Sequence, residues 1–202
     1  ILGLLLVPAA TYAESNFAPV KLPRGVQLQI PKGWWLLGKD HNRLIQTSVE
    51  AAIDLSGIGR PDGQDTNLIA ANSMPKTTYA AVRVDSTIPP SISPKEIQAA
   101  TAADLKDLGN EVRTNLEKML PLQNNQLLQF YGVRKDIISG YPAIVTEYRR
   151  SDPKGPVIVQ INQVFTNSQE IKIFLSYRES EAALWKPVVG RIRKSLTLTK
   201  WP

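Results

Sequence analysis

The pattern of apolar and polar residues predicts strands in three parts of this chain. Residues 26–30 alternate without exception, as a half-buried strand does, and Pro31-Lys32-Gly33 ends the pattern. Residues 68–71 and 79–85 indicate two short strands that follow a loop over residues 60–67. Four longer segments rich in β-branched and aromatic residues lie at 127–138, 143–150, 157–166 and 171–177. The short gaps between these four allow only hairpins, so they should form an antiparallel meander.

Apolar residues three and four positions apart predict helices between these groups of strands. The first covers residues 43–55. The clearest boundary is Ser93-Pro94-Lys95-Glu96, where an N-cap Ser, a Pro at the first helical position and a Glu two residues after that Pro form a capping box. This second helix should run to about Met119, with Gly109 weakening it and marking a bend.

A last helix is predicted over residues 179–196. Pro187 lies inside it and should kink or divide it. Its expected buried stripe consists of Ala183, Leu184, Val188, Ile192 and Leu196. Helices that are partly segregated from hairpin-linked strands indicate an α+β fold with helices packed on an antiparallel sheet. No repeat or linker suggests more than one domain, and its expected extent is 26–202.

The first thirteen residues differ from the rest of the chain because they are uncharged and mostly apolar. Thr11 and Ala13 occupy the −3 and −1 positions of a small-residue cleavage signal, so residues 1–13 are interpreted as the truncated end of a secretory signal peptide. The apolar run is too short for a spanning helix, and no stable membrane insertion is expected. The mature protein would begin near Glu14, with an N-terminal extension over 14–25. It is predicted to be exported to the periplasm or outside the cell, or to the thylakoid lumen in a photosynthetic source.

Composition narrows the classes of function. The chain has no Cys, which excludes a lipid anchor at the cleavage site, disulfides, thiolate metal sites and thiol catalysis. Lys and Arg number 24 against 18 Asp and Glu, a net charge of +6, which favours either solubility or contact with anionic partners. Export and the scattered arrangement of the basic residues argue against nucleic acid.

Catalytic residues are few. His41 is the only histidine, so multi-histidine metal sites are excluded and any Ser–His–Asp triad would have to include it. Ser73-Met74-Pro75-Lys76 and Ser151-Asp152-Pro153-Lys154 match S-x-x-K, but both lie in Pro-containing turns where the Ser does not open a helix. The protein is therefore predicted to be no enzyme, and no cofactor is expected.

Asp62, Asp65 and Asn67 are the candidate metal ligands, because their oxygens could bind calcium in an exported protein. Their spacing is not that of an EF-hand, and a solvated turn is the favoured alternative.

Three short motifs together resemble the PsbP-like family. They are the strand that runs into Ile30-Pro31-Lys32-Gly33-Trp34, the corner Gly140-Tyr141-Pro142-Ala143, and the closing Trp-containing helix from Ala182 to Leu196. The resemblance implies an α/β/α sandwich around a central antiparallel sheet. It also implies a protein that binds other proteins and has no shared catalytic site, so no functional residue is carried over. The family's Trp at this place packs inside, which favours a core position for both Trp34 and Trp35.

The candidate partner surface consists of Arg149, Arg150 and Lys154, which cluster at one predicted hairpin, with Trp34 or Trp35 as an alternative exposed anchor. The expected partner is an envelope protein with an acidic surface. The sequence therefore predicts a non-enzymatic accessory or assembly factor of the cell envelope. The alternative is an envelope binder of a small ligand or a metal ion such as calcium.

Overall fold

The computed structural model describes residues 16–37 and 64–199, with the backbone alone for 64–66. The predicted leader, the predicted helix over 43–55, His41 and Asp62 lie outside the described residues. The strands within them are β1 (Phe17–Lys21), β2 (Val26–Pro31), β3 (Trp35–Leu36), β4 (Gln64–Asn72), β5 (Ala80–Ile88), β6 (Leu127–Ile138), β7 (Tyr141–Arg150), β8 (Val157–Phe165), β9 (Glu170–Arg178) and β10 (Thr197–Leu198). The helices are α1 (Pro94–Ala99), α2 (Ala102–Met119) and α3 (Ala182–Lys194), and 3-10 turns lie at Leu120–Gln123 and Glu179–Glu181.

Seven of these strands form one antiparallel sheet in the order β3-β4-β5-β9-β8-β7-β6. The predicted meander is confirmed, because β6, β7, β8 and β9 each pair antiparallel with the next strand. A smaller sheet has the order β1-β2-β10, so residues 17–21 of the predicted N-terminal extension pair with β2.

The loop predicted over residues 60–67 is wrong from residue 64 onward. There β4 has already begun, and Gln64 pairs with Ile88 while Asp65 pairs with Thr87. The polar composition of this segment favours a loop, but the ladder of hydrogen bonds to β5 satisfies its backbone as a strand.

Helices cover both faces of the large sheet. On one face Val82, Val84 and Ile173 belong to a core that also contains Ile192 of α3 and Leu28 of the small sheet. On the opposite face Ile144 and Phe165 pack against Ile97 of α1, and Tyr148 and Val159 pack against Leu120 at the end of α2. Because successive side chains of a strand point to opposite faces, the meander supplies both cores at once. The α+β fold and its α/β/α layering are thereby confirmed.

The helix predicted to begin at Ser93 is two helices. The capping box of Ser93 and Glu96 is present, but α1 ends at Ala99 and a second capping box, made by Thr101 and Asp104, starts α2. The break thus lies at Ala100–Thr101 instead of Gly109, and α2 continues through Gly109, where a Cβ would lie at an ordinary 3.7 Å from the ring of Phe130.

The last helix also differs from its prediction. Pro187 does not divide α3, and the residues that α3 buries are Trp185, Val189 and Ile192. Leu184, expected in the buried stripe, is 54% exposed. Trp185 is the residue that sets this orientation, because its large ring packs into the core beside Trp34.

Candidate functional site

One end of the large sheet gathers most of the residues that the sequence singled out. The first residue of β5, Ala80, pairs with Tyr177 near the end of β9. The first residue of β8, Val157, pairs with Arg178 on β9 and with Arg150 at the end of β7. The β4–β5 turn, the β7–β8 hairpin and the end of β9 therefore lie at the same end of the sheet. We call it the rim, and it comprises residues 73–79, residues 151–156 and the turn Glu179–Glu181, with β3 at its side.

The two adjacent tryptophans point to opposite faces of the sheet edge. Trp34 is 9% exposed and packs edge-to-face on Trp185, with ring centroids 5.8 Å apart and planes at 77°. Trp35 pairs across the ladder with Asn72 and is 49% exposed. The expectation that both pack in the core is therefore wrong for Trp35, because an extended backbone turns neighbouring side chains in opposite directions. Trp34 is a core residue, so Trp35 is the exposed member of the pair.

Trp35 forms one wall of a cleft of about 280 Å³ at the edge of the sheet. The described residues that line this cleft are Trp35, Leu37, Asn72, Ser73, Lys76, Thr78 and Tyr79. The ammonium of Lys76 lies over the indole of Trp35, with Nζ 3.8 Å from the ring centroid. This is a cation–π contact, and it holds the charge of Lys76 against the aromatic wall.

The turn that forms the floor of the cleft is fixed by its own hydrogen bonds. The Ser73 hydroxyl oxygen accepts from the backbone N–H of Ala80 at 2.8 Å, and the Thr78 hydroxyl donates to the carbonyl of Pro75 at 3.0 Å. The Tyr79 hydroxyl lies 3.2 Å from that of Ser176 on β9. The cleft is therefore held in shape by the strands on which it is built.

A carboxylate behind the cleft joins it to the rest of the rim. Glu181 Oε2 accepts from the backbone N–H of Tyr79 at 2.7 Å and from the indole Nε1–H of Trp185 at 3.0 Å. Its Oε1 accepts from Nη1 of the buried Arg178 at 2.6 Å. Desolvation alone would raise the pKa of Glu181, but these hydrogen bonds and the charge of Arg178 hold that pKa below its ordinary value.

The predicted basic hairpin lies on the rim, but its arginines are engaged within the fold. Arg149 Nη2 is 2.7 Å from Oε2 of Glu179. Arg150 Nη1 donates to Asn125 Oδ1 at 3.1 Å and to the Ser151 carbonyl at 3.0 Å. Lys154 is exposed at the tip of the hairpin. Of the three hairpin cations, Lys154 is thus the one that the described structure presents to solvent.

The candidate metal ligands are divided between described and undescribed parts of the chain. Asp62 lies outside the described residues, and Asp65 has its backbone alone described, in β4. The side-chain amide of Asn67 donates to Oδ1 of Asp85 at 2.7 Å. Within the described ranges no group of three His, Cys, Asp or Glu side chains is close enough together to hold a metal ion.

Both S-x-x-K matches are turn structures. The Ser73 hydroxyl accepts from Ala80, as above, and the Ser151 hydroxyl oxygen accepts from the backbone N–H of Gln126 at 2.7 Å. The sequence pattern did not identify Tyr79, Arg178 or Glu181. Arg178 and Glu181 are near neighbours in the chain, but the hydrogen bond that joins Glu181 to Tyr79 and to the cleft spans 102 residues. The one local signal for the cleft was the pair of adjacent tryptophans, one of which an extended backbone must turn outward.

Comparison with known proteins bears on the fold. Within the described residues no helix is long and apolar enough to cross a membrane. No protein-family model and no curated protein sequence matches the chain. The solution structure of cyanobacterial PsbP (CyanoP) from Synechocystis sp. PCC 6803 is similar, with a TM-score of 0.56 and 12% identity over 96% of this chain and 99% of that one. LpqN of Mycobacterium tuberculosis, involved in cell envelope biogenesis, gives a TM-score of 0.49 and 13% identity over 96% of this chain and 98% of its own. The likeness to CyanoP shows that this chain has the PsbP-like fold.

Proposed function

We propose that this protein is an exported, non-catalytic accessory protein of the cell envelope that binds another protein through the rim of its sheet. Export follows from the interpretation of residues 1–13 as a signal peptide, and binding without catalysis is the way of working that the PsbP-like resemblance implies.

The observation that carries the proposal is the half-exposed indole of Trp35 at the rim. Met74 lies in the turn between Asn72 and Tyr79 and is 43% exposed, so an apolar side chain is also presented on the turn that adjoins Trp35. Leu36 is 54% exposed, but as the next residue of β3 it turns to the opposite side from Trp35. Aromatic side chains and Met are enriched where proteins contact one another. An aromatic ring buries a large area at a small cost in conformational entropy, and the flexible thioether of Met adapts to the shape of a partner. Trp35 itself lines the cleft together with Lys76.

Charge supports an acidic partner. On the rim Arg149, Arg150 and Arg178 are each paired with a carboxylate, of Glu179, Asp152 and Glu181 respectively. The ion pairs of the described residues do not include Lys76 or Lys154, and both are exposed. An acidic surface would complement these two ammonium groups and the net charge of +6.

The test is cross-linking of the tagged protein in the cells that make it, followed by mass spectrometry. A variant with Trp35→Ala and Lys76→Glu alters the exposed rim without breaking an ion pair. Its matched control is Leu122→Ala with Lys106→Glu, since Leu122 is 69% exposed and Lys106 is exposed on α2. We expect one dominant envelope partner that is retained by the control and lost by the rim variant. Absence of any enriched partner, or equal recovery with both variants, would overturn the proposal.

Arg149→Glu and Arg150→Glu are poorer probes of the same surface. Each would place a carboxylate beside Glu179 or Asp152 and remove an ion pair of the fold, so loss of binding would not separate recognition from folding. Lys154→Glu is the hairpin change that leaves these pairs intact.

A further inference from the structure

The cleft beside Trp35 has a chemistry that specifies its occupant. The described residues that line it include one cation, Lys76, and no carboxylate. Trp35, Leu37 and Tyr79 contribute the apolar and aromatic part of the lining, and Asn72, Ser73 and Thr78 contribute uncharged polar groups. A cleft with an aromatic wall, uncharged polar groups and a single positive charge favours a ligand that carries a negative charge next to an apolar group.

The position of the ammonium adds geometry to this preference. Because Nζ of Lys76 lies 3.8 Å above the centroid of the Trp35 ring, its N–H groups that face away from the ring are open to an acceptor. A carboxylate there would complete a stack of indole, ammonium and carboxylate. The part of the indole that remains exposed would then receive the neighbouring apolar group of the same ligand.

The size of the cleft limits what enters it. A volume of about 280 Å³ accommodates one or two side chains and is small for a separate organic ligand of ordinary size. The turn that lines the cleft also carries Met74, which is 43% exposed, so a longer chain would have further apolar surface beyond the cleft.

We infer that the cleft binds an acidic peptide segment of the partner protein, with an Asp or Glu carboxylate on Lys76 and an adjacent aromatic or apolar side chain on Trp35. This inference rests on the proposed function, since it names the part of the partner that the rim recognises. The Trp35–Lys76 pair is the specificity element, and Tyr79 and Leu37 also line the cleft.

The experiment is a titration of the 15N-labelled protein, followed by NMR at the Trp35 indole N–H and the backbone amides of residues 76–79. The probe is a blocked pentapeptide, Ser-Glu-Phe-Glu-Ser, and its two analogues carry Gln in place of Glu or Ala in place of Phe. We expect the probe to shift these signals. The dissociation constant of each analogue should be at least about fivefold higher than that of the probe, which is the factor that corresponds to about 1 kcal/mol of binding free energy. A higher salt concentration should lower the affinity of the probe, because salt screens its carboxylates, and should leave the affinity of the Gln analogue unchanged.

Variants assign the effect to the cleft. The Lys76→Gln variant should bind the probe about fivefold more weakly than the wild type does, and it should bind the probe and the Gln analogue with equal affinity. The Lys106→Gln variant should bind both peptides as the wild type does. Equal binding of the probe and its Gln analogue, shifts located away from residues 76–79, or equal binding of sodium glutamate and the peptide would overturn the inference.

Failure of this inference is distinguishable from failure of the proposed function. If the rim variant loses its cellular partner but the peptides do not bind, rim binding stands and the acidic-peptide chemistry is wrong. If the peptides bind as expected but no cellular partner depends on the rim, the chemistry of the cleft stands and the proposed function is wrong.

Discussion

The carboxylate of Glu181 accepts a hydrogen bond from the indole of Trp185, with 3.0 Å between Oε2 and Nε1. Because these residues are one helical turn apart, the bond fixes the first turn of α3 while the ring of Trp185 packs on Trp34. The same carboxylate reaches Tyr79 in the β4–β5 turn and Arg178 at the end of β9. One side chain thus connects helix, sheet and cleft.

Replacement of Glu181 by Gln should destabilise the protein by about 2 kcal/mol, because the charged acceptor of the buried Arg178 is lost. The pKa of Glu181 is lower in the folded state than its ordinary value, so its contribution is present at neutral pH and disappears as the pH falls through the folded pKa. Urea unfolding at pH 7 and at pH 3 measures this, and the difference between wild type and variant should shrink at pH 3.

The matched control for this change is Glu117→Gln. Glu117 forms an exposed i,i+4 pair with Arg113, with the two side chains 50% and 62% exposed, so its loss should cost less than about 0.5 kcal/mol. An equal cost at the two glutamates would contradict the role given to Glu181.

The adjacent tryptophans should respond in opposite ways to truncation. Trp34→Ala removes a buried ring and leaves a cavity against Trp185, which should cost about 3–5 kcal/mol. Trp35→Ala removes a half-exposed ring and one cation–π contact, so it should cost less than about 1 kcal/mol. Urea unfolding followed by far-UV circular dichroism tests both variants, and similar costs would refute the opposite orientation of the two rings.

The break between α1 and α2 predicts a capping effect at Thr101. Its hydroxyl oxygen accepts from the backbone N–H of Asp104 at 3.2 Å, and its own N–H donates to the Asp104 carboxylate at 2.8 Å. Thr101→Ala should therefore lower the free energy of unfolding by about 1 kcal/mol. Thr114→Ala is the control, because Thr114 is exposed in the helix interior, where Ala is favoured. If one continuous helix ran through this segment, Thr101→Ala would be neutral or stabilising.

Tyr148 predicts a loss of stability at alkaline pH. Burial raises the pKa of its phenol to about 12. In the unfolded chain the pKa is about 10, so between these values the unfolded state releases a proton that the folded state keeps, and stability falls as the pH rises. From pH 9 to pH 11, wild type should lose about 1 kcal/mol relative to Tyr148→Phe in urea unfolding. A difference between the two proteins that stays constant over this range would exclude the shift.

The strand pattern was readable from sequence because it is local. The meander was found at nearly its true bounds, since β-branched residues and short turns specify a strand and its hairpin without reference to the rest of the chain. The capping box at Ser93 was equally visible, because all its atoms lie within four residues. The second box at Thr101 has the same kind of signal, and the apolar residues that continue past it concealed the break.

The candidate site was readable in part. The hairpin that carries Lys154 and the pair of tryptophans were identified, but the contact of Lys76 with Trp35 joins residues far apart in sequence. The engagement of Arg149 by Glu179, at 2.7 Å, also depends on β8, which pairs with both β7 and β9 and so brings these two residues to the same end of the sheet.

The sequence by itself determined the α+β class, the antiparallel meander and its hairpins, and the helix boundary at Ser93. Only the tertiary structure decided which face of α3 is buried, which of the two tryptophans is exposed, and which rim cations remain open to a partner. The physical reason is range: periodicity, turns and caps act over a few residues, whereas burial and ion pairing are decided where strands and helices distant in sequence pack together.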